Sequence, residues 1–367
     1  MVCKYLNIFC IGDPHIRIEE EDDIYTYFQE LFKIIESTDL SHTIDFIIIL
    51  GDVLHNHSTL QTGSLNLATQ FFKFCKSIAK TFCLVGNHDF INNDQFLNSN
   101  HWMNSFKDWD NNFIIVDKVE TFVKNNIQIS LSPYVPNGRF VEALNTSNNE
   151  ELKLNWKNSS IIFAHQLLNG AKMGAIIENN VEEWLDDYPL CISGHIHSFQ
   201  KVKNNYYCLG SSRYVGYGDN GKKYCSLIRI NEEDKTIHFK KLQLNIKSKQ
   251  VFTIMITNSN FNILNEYLEK IGKKSDTKYV KLIFKGEKNL IQTFKQSSMY
   301  KSCLELYHKI NFKFTVPTLV NNSNNNNNNS VVNNTVNVNN KDIKFISVLQ
   351  KEINGNEELE TIFKLLL

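Results

Sequence analysis

No apolar stretch in the 367-residue chain approaches the ~18 residues that span a bilayer, so a transmembrane helix is not expected. Nothing at the amino terminus reads as a cleaved leader: the first polar motif arrives at Asp13, and cleavage would remove it. Paired cysteine motifs are missing too. Cys3, Cys10, Cys75, Cys83, Cys191, Cys208, Cys225 and Cys303 show no C-x-x-C spacing and lie mostly in apolar segments, as reduced, buried thiols do. These absences predict an intracellular protein. Net charge is also lacking, since 39 Lys and Arg balance 39 Asp and Glu, which argues against an obligate nucleic-acid binder. The zero hides an asymmetry. Residues 246–314 contain no arginine and thirteen lysines against five acids, a balance of +8, so the remainder carries −8. Either a chain-wide bias toward Lys, Asn, Ile and Phe or a phosphate-facing surface would produce it.

What is present is a core-forming composition, 42% hydrophobic with 25 Phe and 14 Tyr. Residues 1–245 alternate strand-like and helix-like segments, the α/β signature. Apolar runs at Leu6–Ile11, Phe46–Leu50, Phe82–Val85, Ile161–Phe163 and Leu190–Ile192 read as buried strands, with amphipathic helices over Asp23–Glu36 and Ser64–Lys80. Strands then crowd together (Val119–Lys124, Ile127–Leu131), and after His197 the segments Tyr206–Leu209, Tyr224–Ile230 and Thr236–Lys241 predict antiparallel pairing in a mixed sheet or two packed sheets. A second unit, residues 246–318, shows a βαβα pattern: strand Val251–Thr257, helix Phe261–Gly272, strand Lys278–Phe284, helix Asn289–Gln296. Residues 319–340 are expected to be a linker, because from Asn321 to Asn340 the chain is Asn-rich with a few Ser, Val and Thr, a polar tract unable to bury a core. Residues 341–367 return to helical spacing, with Ile346, Leu349, Ile353, Leu359, Ile362 and Leu366 as an apolar stripe suited to docking.

Five short blocks carry the chemistry: Asp13-Pro14-His15, Gly51-Asp52-Val53-Leu54-His55, Gly86-Asn87-His88-Asp89, Ala164-His165 and Gly194-His195-Ile196-His197. Each follows one of the five apolar strands, so its side chains project from a strand end, where ligands gather in open α/β sheets. The glycines before Asp52, Asn87 and His195 are expected to permit tight turns there. Hydrolysis of a phosphodiester brings an anionic nucleophile against an anionic substrate. Two metal ions ~3.5–4 Å apart meet that difficulty by lowering the pKa of a shared water and clamping the phosphoryl oxygens. Asp52, with two usable oxygens, is the candidate bridge. Asp13, His15 and His197 would complete one site, and Asn87, His165 and His195 the other. Imidazole, carboxylate and amide oxygen without thiolate suit Mn2+, with Fe or Zn as alternatives.

In this order the blocks resemble the calcineurin-like metallophosphoesterase superfamily, whose pattern is D-x-H, G-D, G-N-H-D/E, H and G-H-x-H. The resemblance covers roughly residues 5–230 and implies an α/β (α+β) fold, a sandwich of two sheets flanked by helices. It puts His88 at the position of the family's catalytic histidine, with Asp89 behind it as an orienting carboxylate. The second block lacks the G-D-x-V-D-R-G of calcineurin-type protein phosphatases. His55 three residues after Asp52, Ala164-His165-Gln166, and the last block followed by Leu209-Gly210-Ser211-Ser212 are instead similar to SbcD-type DNA repair nucleases. That likeness implies a role for His55, a capping domain over the DNA path at residues 246–318, and a tail that binds an SMC-like coiled-coil ATPase. The stretch Gly170-Ala171-Lys172-Met173-Gly174 resembles phage and large-DNA-virus versions, which adds a viral factory to cytoplasm and nucleus as candidate compartments. The candidate partners are DNA, the ATPase and a second copy of the chain, without a membrane. The Asn-rich tract departs from the family pattern.

Plainer readings apply elsewhere. His42, His57, His101, His238 and His308 are expected to be ordinary satisfied polar residues. The acids from Glu19 to Asp23 favour a helix amino terminus. Tyr214 and Tyr217 fit a substrate-side loop or a simple hairpin. The rivals to a DNA nuclease are a phosphomonoesterase or small-molecule phosphodiesterase on the same metal core, and a scaffold without activity. Seven converging metal-binding side chains argue against the scaffold, because they repel or desolvate one another without purpose.

Overall fold

The computed structural model describes residues 4–314 except 38–42, 150, 152–153, 175, 220, 258–262, 276–277 and 308. The Asn-rich tract, the tail, His42 and His308 lie outside the described residues. In chain order the first elements are β1 (Tyr5–Ile11), α1 (Glu21–Ser37), β2 (Phe46–Ile49), α2 (Thr62–Ile78), β3 (Lys80–Leu84) and β4 (Phe113–Val116). There follow β5 (Glu120–Lys124), β6 (Ile127–Leu131), α3 (Phe140–Asn145), β7 (Ile161–Ala164), a hairpin of β8 (Lys172–Met173) and β9 (Ile176–Ile177), and β10 (Leu190–Ser193). This first part of the chain ends with β11 (Gln200–Lys203), β12 (Tyr206–Cys208), β13 (Tyr224–Asn231) and β14 (Ile237–Gln243).

Two six-stranded sheets form, in the orders β14-β13-β1-β2-β3-β4 and β11-β12-β10-β7-β6-β5. Strand β1 explains the layering. Leu6, Ile8 and Cys10 point into a core shared with Ile129, Leu131, Phe163 and Ile192 of the second sheet, while Phe9 and Ile11 face Tyr27, Leu31, Phe71 and Phe72 of α1 and α2. A strand buried on both faces is mostly apolar, which is why it reads as an apolar run, and its one buried polar residue, Asn7, has its side chain bonded to the Tyr5 carbonyl and Arg229. On the outer face of the second sheet, Ile162, Cys191 and Tyr206 pack with Phe140 and Ala143 of α3 and with Trp156 and Trp184. The layers are therefore helix, sheet, sheet, helix.

One pairing differs from expectation. Strands β13 and β14 are antiparallel, but β12 runs parallel to β10. The β11–β12 hairpin reverses the chain twice, so its second strand joins the edge of β10 in the same direction. Cys10, Cys75, Cys83, Cys191, Cys208, Cys225 and Cys303 are buried and free, and among the described residues no helix is long and apolar enough to cross a membrane.

Residues 248–314 add β15 (Ser248–Ile256), α4 (Leu264–Ser275), β16 (Lys278–Gly286), α5 (Lys288–Gln296), α6 (Ser298–Leu306) and β17 (Lys309–Phe314). The last helix and strand go beyond the βαβα reading. A new helix starts because Ser297 caps it, its hydroxyl accepting from the Tyr300 amide. The three strands are parallel and in sequence order. All three helices lie over one face, burying Ile254, Leu268, Val280, Leu282, Phe284, Ile291, Phe294 and Cys303 in a separate core. The opposite face carries Val251, Lys281, Lys285, Lys309 and Lys313, none of them buried, while Lys249 at the start of β15 is buried against Glu20.

Candidate active site

The parallel strands β1, β2, β3, β7 and β10 deliver the five blocks to one edge of the sandwich. There the seven candidate ligands converge in two groups that share Asp52. In the first, donor atoms of Asp13, His15 and His197 lie within 4.8 Å of one another. His15 Nε2 is 3.0 Å from His197 Nε2 and 3.5 Å from Asp52 Oδ2. In the second, Asp52, His165 and His195 meet the same limit. His165 Nε2 stands 3.3 Å from Asp52 Oδ1 and 3.1 Å from Asn87 Oδ1, and His195 Nδ1 stands 2.8 Å from the same amide oxygen. Asp52 thus turns one oxygen toward each group.

The turns differ from the sequence expectation in an instructive way. Of the three glycines, Gly51 has a left-handed φ of 98°, but His15 (45°), Asp52 (49°) and His195 (74°) adopt left-handed backbone themselves. Such conformations cost a non-glycine residue energy and cluster at functional sites. Gly86 and Gly194 serve instead by having no side chain. A Cβ on Gly86 would lie 2.3 Å from Asp52 Oδ1, and one on Gly194 would lie 2.4 Å from Asp13 Oδ1.

The chemistry of these atoms fits divalent cations. Both carboxylate oxygens of Asp13 are buried without a hydrogen-bond donor, a costly state unless a positive charge faces them. Burial lifts the Asp13 carboxyl to about 6. Burial would lift Asp52 as well, but the surrounding His165, His15 and His88 rings outweigh it and hold that carboxyl well below its usual range. Burial holds His15 neutral, and burial together with His165 lowers His195 to about 3. Neutral imidazoles present the lone pairs that metal ligation needs. His165 donates from Nδ1 to the Leu50 carbonyl at 2.6 Å, which leaves Nε2 aimed at Asp52 and Asn87. Burial opposes charge on His165, yet Asp52 and Asp13 raise it to about 9. The pocket favours positive charge at that point, whether proton or metal.

Around this centre sit residues with other tasks. His88 donates from its backbone to Asp52 Oδ1 at 2.8 Å and from Nδ1 to the His55 carbonyl at 2.6 Å, leaving Nε2 without that duty. His55 approaches His15, Nδ1 to Nδ1 at 3.4 Å, and burial, then Arg17, lowers its pKa to about 4. Asp89 does not stand behind His88. Its carboxylate accepts from the amides of Gly86, Val53 and Leu54 and from the Trp102 indole at 2.9 Å, tying the β2 and β3 loops together. A buried carboxylate needs donors, and backbone amides meet it before the imidazole can. His57, expected to be ordinary, stacks on His88 with ring centroids 4.2 Å apart. His101 meets the plain reading only in part: Nε2 pairs with Asp117 at 3.2 Å, while the buried Nδ1 has no hydrogen-bond partner among the described residues.

Asp219 escaped the sequence reading. It stands 3.8 Å from His197 Nδ1, accepts from the Val215 amide, and pairs with Lys223, whose ammonium donates to the His197 carbonyl. The run Tyr217-Gly218-Asp219 has no local feature to announce it. A cleft of about 450 Å³ opens beside the centre, lined by Lys172, Met173, His195, His197 and Asp219.

Comparison with known proteins agrees with this geometry. Residues 6–199 match the family described as Calcineurin-like phosphoesterase. The chain belongs to that family. It is 32% identical over 365 residues to "Putative phosphoesterase 078R" of Invertebrate iridescent virus 3, covering 98% of this chain and 96% of that one. It is 36% identical over 300 residues to "Putative phosphoesterase 244L" of Invertebrate iridescent virus 6, covering 81% and 99% respectively. As a calcineurin-like phosphoesterase it is a hydrolase that works with divalent metal ions, and three clusters have donor atoms that could hold one: Asp13 with His15 and His197, Asp52 with His165 and His195, and His15 with His55 and His88.

Proposed function

We propose that this phosphoesterase is a two-metal phosphodiesterase acting on DNA, a nuclease of SbcD type. Asp13, His15, His197 and Asp52 would hold one ion, and Asp52, Asn87, His165 and His195 the other, with manganese the best match to the donor set. When bound, such a pair supplies Lewis-acid charge for the phosphoryl group and a nucleophile at neutral pH. The protein's own contribution is positional. Asp52 is fixed by the His88 amide. His88 keeps its ring oriented through the His55 carbonyl and the His57 stack, which leaves Nε2 available to a phosphoryl or leaving oxygen.

The observation that carries DNA over a small ester is the open face of the β15–β17 sheet. Lys281 lies directly opposite Lys309, and Lys285 opposite Lys313. Like charges opposed across a ladder are unfavourable, and a polyanion laid over them reverses the sign. The face meets the loop that carries Asp219 at one point, where the Lys281 ammonium lies 5.8 Å from the ring centre of Tyr217. A subunit role beside a coiled-coil ATPase, through the stripe from Ile346 to Leu366, is part of the same proposal.

The test replaces Lys281, Lys285, Lys309 and Lys313 together by glutamine. Hydrolysis of a nitrophenyl phosphodiester should not change. Duplex DNA binding should weaken, and its salt dependence should flatten by roughly 0.9 in log–log slope for each DNA phosphate that the variant no longer neutralises. Unchanged DNA affinity and slope would favour the small-ester reading, for which the 450 Å³ cleft is large enough.

A further inference from the structure

The segment after β12 grips the first metal-ligand loop on both sides of Asp13. Ser212 donates from its amide and its hydroxyl to the Gly12 carbonyl, at 2.9 and 2.6 Å, and the Tyr27 hydroxyl lies 2.6 Å from that Ser212 oxygen. Arg213, fully buried, donates from Nη1 to the His15 carbonyl at 3.0 Å. His15 is one of the residues held in left-handed backbone, so a partner on its carbonyl helps to fix a conformation it would otherwise leave. The other arm of the guanidinium, Nη2, meets Asp23 Oδ2 at 2.7 Å and the carboxylate of Glu20. The acids read as helix-terminal charges thus have a second task. Glu20 also accepts from Lys249 Nζ at 2.6 Å, and Lys249 belongs to β15, in the unit after Ser248. Lys249 is 5% exposed, and its other hydrogen bond goes to the Val215 carbonyl.

We propose that Arg213 is a positioning residue for the metal centre, and that Lys249, acting through Glu20, makes the seating of the β15–β17 unit part of that positioning. A planar guanidinium with both arms occupied has one orientation. Glu20 and Asp23 together set one arm and His15 sits on the other, so a change in how the unit seats on Glu20 reaches the backbone of His15. The inference rests on the reading of His15 as a metal ligand.

The test uses the full chain, with manganese binding measured by calorimetry and kcat and KM measured on a nitrophenyl phosphodiester. Lys249→Met should weaken manganese binding by about 3- to 10-fold and lower kcat with KM unchanged. Arg213→Lys, which keeps charge but loses the fork, should weaken it by about 10–100-fold, the range found when the partner of a metal ligand is removed. Lys301→Met, an exposed lysine on α6, should match wild type. If Lys249→Met fails to fold, judged by thermal unfolding, Lys249→Gln takes its place on the same readings. Manganese affinity and kcat equal to wild type in the Lys249 variant would overturn the proposal while leaving the two-metal reading intact. Wild-type manganese affinity in His15→Ala would instead overturn the reading on which it rests.

Discussion

Exchange of Gly194 for alanine aims one methyl group at the metal centre and leaves the rest of the chain alone. The new carbon would stand 2.4 Å from Asp13 Oδ1, 2.7 Å from the Leu50 carbonyl oxygen and 2.9 Å from His165 Nδ1. Ordinary contact begins near 3.4 Å, so Asp13 has to retreat by about 1 Å, the Leu50 carbonyl by about 0.7 Å and His165 by about 0.5 Å. A misplacement of ~1 Å in a catalytic constellation costs on the order of 10²-fold in rate. Overpacking should cost about 1–3 kcal/mol of stability, enough to measure and too little to unfold a domain of this size. Gly194→Ala is therefore expected to melt as a folded protein, to bind fewer metal ions per chain by elemental analysis, and to hydrolyse a nitrophenyl phosphodiester about 100-fold more slowly. Gly218→Ala, whose methyl meets no atom within 4 Å, is the control. A Gly194→Ala protein with wild-type metal content and rate would refute the reasoning, because Asp13 and His165 would then have no fixed position to lose.

Two further outcomes follow from neighbouring groups. His88→Ala should keep both ions and lose about 10²–10⁴-fold in rate, as a positioned acid does; loss of metal in that variant would make His88 a ligand. Glu20 titrates near 2 in the folded chain, its burial outweighed by hydrogen bonds from Arg17 and the charge of Arg213. Between that value and the ordinary carboxylate range the unfolded chain binds more protons than the native one. Its stabilisation is then complete above about pH 4.5 and lost as pH falls toward 2. Chemical denaturation across that window should show the decline in wild type and a shallower one in Glu20→Gln; parallel curves would contradict it.

The parts of this site that were legible in the sequence are those where ligand and strand are adjacent along the chain. Asp13, Asp52, Asn87, His165 and His195 each follow an apolar run that must be buried, and strand ends of a parallel sheet converge by topology. Asp219 and Arg213 were not legible because their meaning arises across the fold, from a His197 ring and a His15 carbonyl that no local pattern reveals. Asp89 was misread for the opposite reason: its neighbour His88 is adjacent in sequence, while its real partners are amides of two different loops. The end of the β15–β17 unit was hidden by the short break at Ser297, where one capping hydroxyl separates two helices.

The central claim, that one carboxylate joins two cations, is tested most directly by elemental analysis of Asp52→Asn beside wild type, after stripping and reloading with manganese. Wild type should carry two ions per chain and hydrolyse the diester. Asp52→Asn should carry fewer and be inactive, because an amide cannot give full negative charge to two cations. Hydrolysis at the wild-type rate by metal-stripped Asp52→Asn would contradict the account.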